Sequence, residues 1–253
     1  MKITLLGTGT SQGIPVIACK CDVCHSSDSR DKRLRSAIMI EDGTTRIVVD
    51  AGPDFRQQML QHNVDYLDAI LLTHEHADHI FGLDDIRSFN WLRKSAMDVY
   101  CEERVQENLR KIFNYVFALD KFPGIPRMDL KSVDKKPFKV GAIEIIPIRL
   151  YHYQLPVYGF RFGNFAYLTD FNAVDDAEFE KLRGIESLVI CALRKESHIS
   201  HLNLTSALEI INKLSPVKAY LTHMSHDIGK HSSLLKELPT NVEPGYDGLV
   251  LEM

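Results

Sequence analysis

The stretch Leu71-Leu72-Thr73-His74-Glu75-His76-Ala77-Asp78-His79 places an apolar strand directly before a dense group of metal-binding side chains. Three imidazoles and two carboxylates follow one another closely, and each one that is buried needs a polar partner. A metal ion can satisfy several of them together. His74 and His76 alternate along an extended turn, so both rings can face one ion, while Asp78 and His79 are carried on towards a second.

A solvated loop and a helical protease site both fit this stretch less well. A solvated, histidine-rich loop is disfavoured because the cluster follows a strand that reads as buried, and rigid sites are commonly built at strand ends. The helical zinc-protease signature does not match either, since His74 and His79 are five residues apart and no His-Glu-x-x-His pair lies on one helical face.

The composition is ordinary for a soluble globular protein: 253 residues, 45% hydrophobic and 25% charged. No run approaches the ~20 apolar residues of a membrane span, and the apolar start of the chain is too short for a signal-peptide core. We therefore expect a cytoplasmic protein with no membrane partner. The formal net charge of -4 disfavours a long nucleic acid as partner.

Three of the five cysteines, Cys19, Cys21 and Cys24, lie close together near the N-terminus. Their odd number and uneven spacing argue against a disulfide framework. Three thiolates so close in a reducing compartment favour Zn²⁺, and a closed structural zinc site needs four ligands. The adjacent His25 would have to fold back sharply, so we expect the fourth ligand to be a histidine further along the chain.

Predicted strands and helices alternate along the chain. The pattern predicts strands over 1–6, 37–40, 46–50, 66–72, 97–101, 138–150, 158–162, 164–169, 188–193 and 217–221, and helices over 54–62, 82–91, 102–117 and 205–214. Several strands end in ligand-type side chains, and Asp50 is either a turn former or a support for the histidine loop. No low-complexity linker interrupts the pattern, so we expect one domain, residues 1–253, of two similar halves.

The spacing His74-x-His76-x-Asp78-His79 resembles the signature of the metallo-β-lactamase superfamily. The resemblance implies an α/β (α+β) four-layer αββα sandwich with a hydrolytic site for one or two metals. Its ligand order implies two catalytic ions, Zn²⁺ or Mn²⁺, bridged by Asp170, one held by His74, His76 and His152 and the other by Asp78, His79 and His223.

The cysteine run, together with residues 221–226, resembles the PhnP-like phosphodiesterase branch of this superfamily. The resemblance implies one structural zinc ion held by Cys19, Cys21, Cys24 and His226. An aspartate at position 170, where the lactam-cleaving enzymes have a cysteine, points away from those enzymes.

The same resemblance implies that His201, in Ser200-His201-Leu202-Asn203, donates a proton to the leaving group, with His198 as its rival. Asp78 counts as a catalytic residue as well as a metal ligand. We therefore predict a binuclear metal-dependent phosphodiesterase that cleaves small nucleotide or sugar phosphodiesters, cyclic ones included, by attack of a hydroxide held between the two ions.

Two alternative functions remain open. A tRNase Z-like RNA 3′-processing endonuclease fits the site and the late histidine, although no long Gly/Pro-rich arm suited to grasping tRNA is found. A non-catalytic metal-binding regulatory module would retain the cysteine-bound zinc without the catalytic ions. The aromatic helices that follow Leu83 are a candidate contact for a homodimer.

Overall fold

A computed structural model describes residues 1–120 and 122–253, which form two β-sheets packed face to face. The first sheet contains β1 (Lys2–Gly7), β2 (Ala37–Asp42), β3 (Thr45–Val49), β4 (Ala69–Leu71), β5 (Met97–Cys101), β6 (Met128–Ser132) and β15 (Val250–Glu252). Their spatial order is β15-β1-β2-β3-β4-β5-β6, and β3 to β6 run parallel to one another. Because parallel strands end at the same edge, the loops that follow β3 and β4 lie side by side.

The second sheet contains β7 (Phe138–Val140), β8 (Ile143–His152), β9 (Leu155–Phe162), β10 (Phe165–Leu168), β11 (Ala173–Val174), β12 (Ser187–Cys191), β13 (Lys218–Thr222) and β14 (Val242–Pro244). The order is β11-β8-β9-β10-β12-β13-β14, and β7 pairs with β8. Strands β10, β12, β13 and β14 are parallel, so the loops after β10 and β13 share one edge.

The helices lie on the outer faces of the two sheets. They are α1 (Phe55–Gln61), α2 (Ala77–Ile80), α3 (Arg87–Arg93), α4 (Glu103–Ile112), α5 (Asn114–Phe117), α6 (Asp176–Lys181), α7 (Leu204–Leu214) and α8 (His231–Glu237). None of the helices in the described ranges is both long enough and apolar enough to cross a bilayer.

Three apolar clusters separate four layers. Between the sheets, Ile38 and Val49 pack in one cluster with Phe160 and Val189. Side chains of α1, α3 and α4 pack with the outer face of the first sheet, and those of α7 and α8 with the outer face of the second. The predicted αββα sandwich is therefore confirmed.

The helix predicted over 102–117 is broken in two. Phe113 has φ -101° and ψ 43°, outside the helical region, and its side chain is buried in the first-sheet cluster. Burying the Phe113 ring stabilises the fold more than continuing the helix through this residue would, so α4 ends and a new helix, α5, begins at Asn114. The helix predicted over 82–91 likewise begins as a 3₁₀ turn, Leu83–Ile86, before α3.

The C-terminal elements α8, β14 and β15 are absent from the sequence prediction, as is β6. Strands β14 and β15 have three residues each, which is too short for alternation to be read from sequence. Strand β15 pairs antiparallel with β1 and places Leu251 opposite Ile3. The chain thus returns to the first sheet after completing the second.

Asp247 connects this returning segment to the start of the chain. Its carboxylate accepts hydrogen bonds from Thr8 Oγ1 at 2.8 Å and from the backbone N–H of Leu34 at 2.6 Å. Arg33 donates to the same Thr8 hydroxyl. Burial raises the pKa of Asp247 from 3.8 to about 6, because an ionised carboxylate is poorly solvated there.

We expect Asp247→Asn to change how stability depends on pH. The pKa of Asp247 is higher in the folded than in the unfolded chain, so the folded protein loses stability as pH rises from about 4 to 6. Because asparagine cannot ionise, the free energy of unfolding of the variant should rise by about 3 kcal/mol relative to that of wild type between pH 4 and pH 7. Urea unfolding at each pH measures this difference. For the control variant Asp129→Asn, at an exposed site, the difference in unfolding free energy from wild type should be the same at every pH. A difference that does not change with pH for Asp247→Asn would contradict the expectation.

Candidate metal centre

Strands of both sheets deliver the predicted ligands to one edge of the sandwich. Strand β4 leads into the His74 loop, β8 ends at His152, β10 precedes Asp170, and β13 precedes His223. Asp170 and His223 both have φ 52°, and Asp50 after β3 has φ 67°. This left-handed conformation costs a non-glycine residue roughly 1–2 kcal/mol, and such strain concentrates at functional sites.

Asp78, His79, Asp170 and His223 form the tightest group. Each offers a ligand atom, and these atoms all lie within 4.8 Å of one another. His79 Nε2 is 3.2 Å from Asp78 Oδ2 and 3.2 Å from Asp170 Oδ2. His223 Nδ1 is 3.0 Å from Asp170 Oδ2. The structure therefore brings together the ligands predicted for one ion and the predicted bridging carboxylate.

In His79, His223 and His152, one ring nitrogen contacts a polar group of the protein, which leaves the other nitrogen for a metal ion. The contacts are His79 Nδ1 to Asp50 Oδ2 at 2.7 Å, His223 Nε2 to Thr10 Oγ1 at 3.1 Å, and His152 Nδ1 to the carbonyl oxygen of Ser200 at 2.8 Å. A ring that donates its proton in this way keeps a lone pair on the opposite nitrogen. These contacts orient the rings for coordination.

The polar atoms at this centre fit a cation. Among the described residues, His79 Nε2, His201 Nδ1 and His223 Nδ1 are buried without a hydrogen-bond partner. Burial disfavours charge on His79, but the carboxylates of Asp78, Asp50 and Asp170 outweigh it and raise the pKa of His79 well above its usual range. A divalent ion would neutralise the same carboxylates. A set of nitrogen and oxygen donors suits Zn²⁺ or Mn²⁺.

His74, His76 and His152 lie beside this group but are more loosely arranged. His74 Nε2 is 3.0 Å from His76 Nδ1, and the ring of His152 lies 5.9 Å and 5.2 Å from the other two rings. Burial lowers the pKa of His74 well below its usual range, so its ring is neutral. His74 Nδ1 contacts Thr73 Oγ1, which donates to Asp50. Asp50 therefore supports both groups, which is one of the two roles expected for it from the sequence.

His201 lies closer to this centre than its rival His198. Its Nδ1 is 3.7 Å from Asp170 Oδ1, and its ring lies 4.4 Å from that of His152 and 5.1 Å from that of His223. With His152 and Asp170 it forms a further group that could hold a metal. The ring of His198 packs on the outer side of His201 at 5.1 Å. Burial lowers the pKa of His201 to about 3, so the ring is neutral at pH 7.

Glu75, although it is inside the motif, does not join the ligands. Its carboxylate pairs with Arg104 of α4 and accepts a hydrogen bond from Asn108 at 3.3 Å. Arg104 also donates to the carbonyl oxygen of Pro156 in β9. These contacts fix the histidine loop to the neighbouring helix and strand.

Sequence reasoning missed the groups that hold the rings and the loop. Thr73 had a local signal, because it stands directly before His74. Thr10, Ser200 and Arg104 had none, since each lies far along the chain from the side chain that it contacts.

Cys19, Cys21, Cys24 and His226 form a separate candidate site. The three Sγ atoms lie 3.3, 3.2 and 3.6 Å from His226 Nδ1. A tetrahedral zinc site with Zn–S near 2.3 Å and Zn–N near 2.0 Å separates sulfur and nitrogen by about 3.5 Å. The backbone N–H of Cys24 donates to Cys21 Sγ and lowers the pKa of that thiol to about 6, which favours the thiolate. The four side chains fit a closed zinc site.

An αββα sandwich with histidines and aspartates gathered at its strand ends defines a protein of the metallo-β-lactamase fold. A family model described as beta-lactamase superfamily domain matches residues 45–224. A crystal structure described as a new diphosphatase from the PhnP family is 37% identical, covers 99% of this chain and 96% of that one, and superposes with a TM-score of 0.93. The chain belongs to the beta-lactamase superfamily and, within it, to the PhnP family.

Two other proteins are similar to this chain. An octanoyltransferase of Porphyromonas gingivalis is 41% identical over 98% of this chain, but the chain spans only 51% of that relative's length. The structure of Zn²⁺-bound PqqB from Methylobacterium extorquens shares 17% identity, with full coverage of both chains and a TM-score of 0.79. At that identity the second match shows the fold alone.

Proposed function

We propose that this protein is a metal-dependent phosphodiesterase that hydrolyses small nucleotide or sugar phosphodiesters, cyclic ones included. The observation that carries the proposal is the position of Asp170: one of its oxygens lies beside His79 and His223, and the residue also groups with His152 of the other ligand set. A carboxylate shared in this way supports two neighbouring ions. Similarity to a PhnP-family diphosphatase supports hydrolysis at phosphorus.

The proposed roles follow from these contacts. Two divalent ions, when bound, supply Lewis-acid chemistry that activates water and neutralises charge on phosphoryl oxygens. Asp78, His79, Asp170 and His223 would hold one ion, and His74, His76 and His152 the other, with Asp170 shared. Asp50 orients His79 and, through Thr73, His74. Glu75 and Arg104 keep the histidine loop in place.

His201 would act on the leaving group. Its neutral ring can donate an N–H hydrogen bond to the oxygen that departs. That hydrogen bond strengthens as negative charge develops on the oxygen, so the ring stabilises the alkoxide while the P–O bond breaks, and the released alkoxide then takes its proton from water.

Hydrolysis of bis(p-nitrophenyl) phosphate tests the proposed activity. The protein is dialysed against a chelator, reconstituted with Zn²⁺ or Mn²⁺, and its metal content is measured by mass spectrometry. We expect turnover that requires metal and that is lost again on chelation. A protein with both catalytic groups metal-filled and no turnover would contradict the proposal.

His201→Ala should impair substrates in proportion to how poorly their leaving group departs. Loss of one hydrogen-bond donor to a developing oxyanion costs about 10²–10³-fold, so kcat/KM for a 2′,3′-cyclic nucleotide, which releases an alkoxide, should fall by a factor in that range. The loss on bis(p-nitrophenyl) phosphate should be much smaller, because p-nitrophenolate departs without a proton. Metal content should be unchanged. Equal losses on both substrates, or a larger effect from His198→Ala, would assign the role elsewhere.

Diphosphate hydrolysis is the second candidate, favoured by the 37% identical diphosphatase. A nucleoside diphosphate sugar contains a P–O–P bond that the same residues could attack, and the ratio of kcat/KM for this compound and for the cyclic nucleotide decides between them. RNA processing is less favoured, since the lining of the cavity beside His76 and His152 contains no lysine or arginine within residues 1–120 and 122–253. Metal analysis of the purified protein tests the regulatory-module alternative.

A further inference from the structure

An open cavity of about 450 Å³ lies against the candidate metal centre. It is lined by His76, His152, Tyr153, Gln154, Leu155, Ile199 and Ser200. Two of these are candidate metal ligands, so a molecule in the cavity is next to the reacting phosphate. Among the residues that the structure describes, no lysine, arginine, aspartate or glutamate lines it. The cavity is therefore suited to an uncharged part of a substrate.

Tyr153 has an unusual position for a tyrosine. It begins the two-residue turn between His152 and Leu155, which pair across β8 and β9. Its φ of 58° is typical of glycine in such turns. Its side chain remains 55% exposed, so burial within this chain does not offset the strain. Strain of this kind points to a functional requirement for the side chain.

Ile199 lies on the opposite loop and is 69% exposed. Asn172 joins the two loops: its Oδ1 accepts a hydrogen bond from Tyr153 N at 2.7 Å, and its Nδ2 donates to the carbonyl oxygen of Ile199 at 3.0 Å. The contact between His152 and Ser200, which are the neighbours of Tyr153 and Ile199 in the chain, ties the same two loops. Two exposed apolar side chains are thus held at the cavity by a fixed backbone frame.

We propose that Tyr153 and Ile199 bind a flat aromatic group, a nucleobase or an aryl group, on the part of the phosphodiester that keeps the phosphate after cleavage. This inference rests on the proposed function, because the metal centre would hold the phosphate to which the aromatic group is attached. A planar ring entering the cavity removes water from both side chains and can stack on the tyrosine. Stacking is tolerant of base identity, so we expect selectivity for an aromatic group without selectivity among bases.

Two esters with one leaving group test the inference. Thymidine 5′-(p-nitrophenyl phosphate) and methyl p-nitrophenyl phosphate release the same chromophore and differ only in the retained group. Wild type should prefer the thymidine ester in kcat/KM, and Tyr153→Ala should reduce that preference about tenfold, as expected for one lost stacking contact. Tyr153→Phe retains the ring and should preserve the preference. Tyr66→Ala is the matched control, because that ring is covered by Arg46 instead of lining the cavity.

Calorimetric binding of thymidine 5′-phosphate to the metal-reconstituted protein provides a readout that does not depend on turnover. Cleavage of both esters without preference for thymidine would overturn this inference and leave the phosphodiesterase intact. If neither ester is cleaved but thymidine 5′-phosphate binds about tenfold more weakly to Tyr153→Ala, the inference stands and the proposed function fails. Absence of both binding and turnover would overturn both.

Discussion

Replacing Asp170 with asparagine is expected to lower kcat for bis(p-nitrophenyl) phosphate by on the order of 10³-fold, since charge stabilisation by a metal is worth several kcal/mol. Asp170 Oδ2 lies close to both His79 and His223, and Oδ1 faces His201. An amide has the same size but no charge to share between two cations, so occupancy by at least one ion should also fall. Steady-state kinetics and metal analysis measure the two effects.

A nearby carboxylate provides the control for this variant. Asp176, in the first turn of α6, has a 96% exposed side chain that pairs with Lys213 at the surface. Asp176→Asn should therefore keep kcat within about twofold of wild type, since surface ion pairs contribute little. Full metal occupancy and near-normal kcat in Asp170→Asn would contradict the assignment of Asp170 as a bridging ligand.

Replacing His226 with asparagine is expected to remove the structural zinc and lower Tm by at least about 10 °C. Structural zinc ions contribute on the order of 10 kcal/mol to folding, and each 1 kcal/mol lost shifts Tm by roughly 2–4 °C in a domain of this size. Even half of the zinc contribution gives a shift of that magnitude. Calorimetry with and without a chelator, together with zinc analysis, measures it.

His25 gives a matched control in the same loop. It follows Cys24 directly but is exposed, and it lies outside the group that Cys19, Cys21, Cys24 and His226 form. His25→Asn should retain zinc and the wild-type Tm. Loss of zinc in His25→Asn with retention in His226→Asn would exchange the roles of the two histidines.

The ligands could be predicted from sequence because the evidence for them is local. His74, His76, Asp78 and His79 are adjacent in one motif, and the resemblance to the superfamily implies the further catalytic ligands His152, Asp170 and His223, which lie at the end of apolar strands or soon after them. A strand that ends in an ionisable residue can be recognised without knowledge of its neighbours. The sandwich is implied by the resemblance to the superfamily, and only the longer apolar strands could be predicted one by one, because β14 and β15 have three residues each.

The supporting contacts could not be predicted, because they join segments that are distant in the chain. The hydrogen bond from Thr8 to Asp247 spans 239 residues, and nothing near either residue indicates the other. The frame that Asn172 builds around Tyr153 and Ile199 depends on where two loops meet. The helix break at Phe113 depends on the burial of its ring in the core. All three are tertiary effects that override local preference.

The pairing of β15 with β1 has a consequence for how the protein is made. Strand β1 leaves the ribosome long before β15, so one of its two edges finds its partner only when residues 250–252 have been translated. His226, which contacts Cys19, Cys21 and Cys24, is likewise translated more than 200 residues after them. During elongation the nascent chain therefore carries an unpaired strand edge and three free thiols. Chaperones that shield such edges would matter most at that stage.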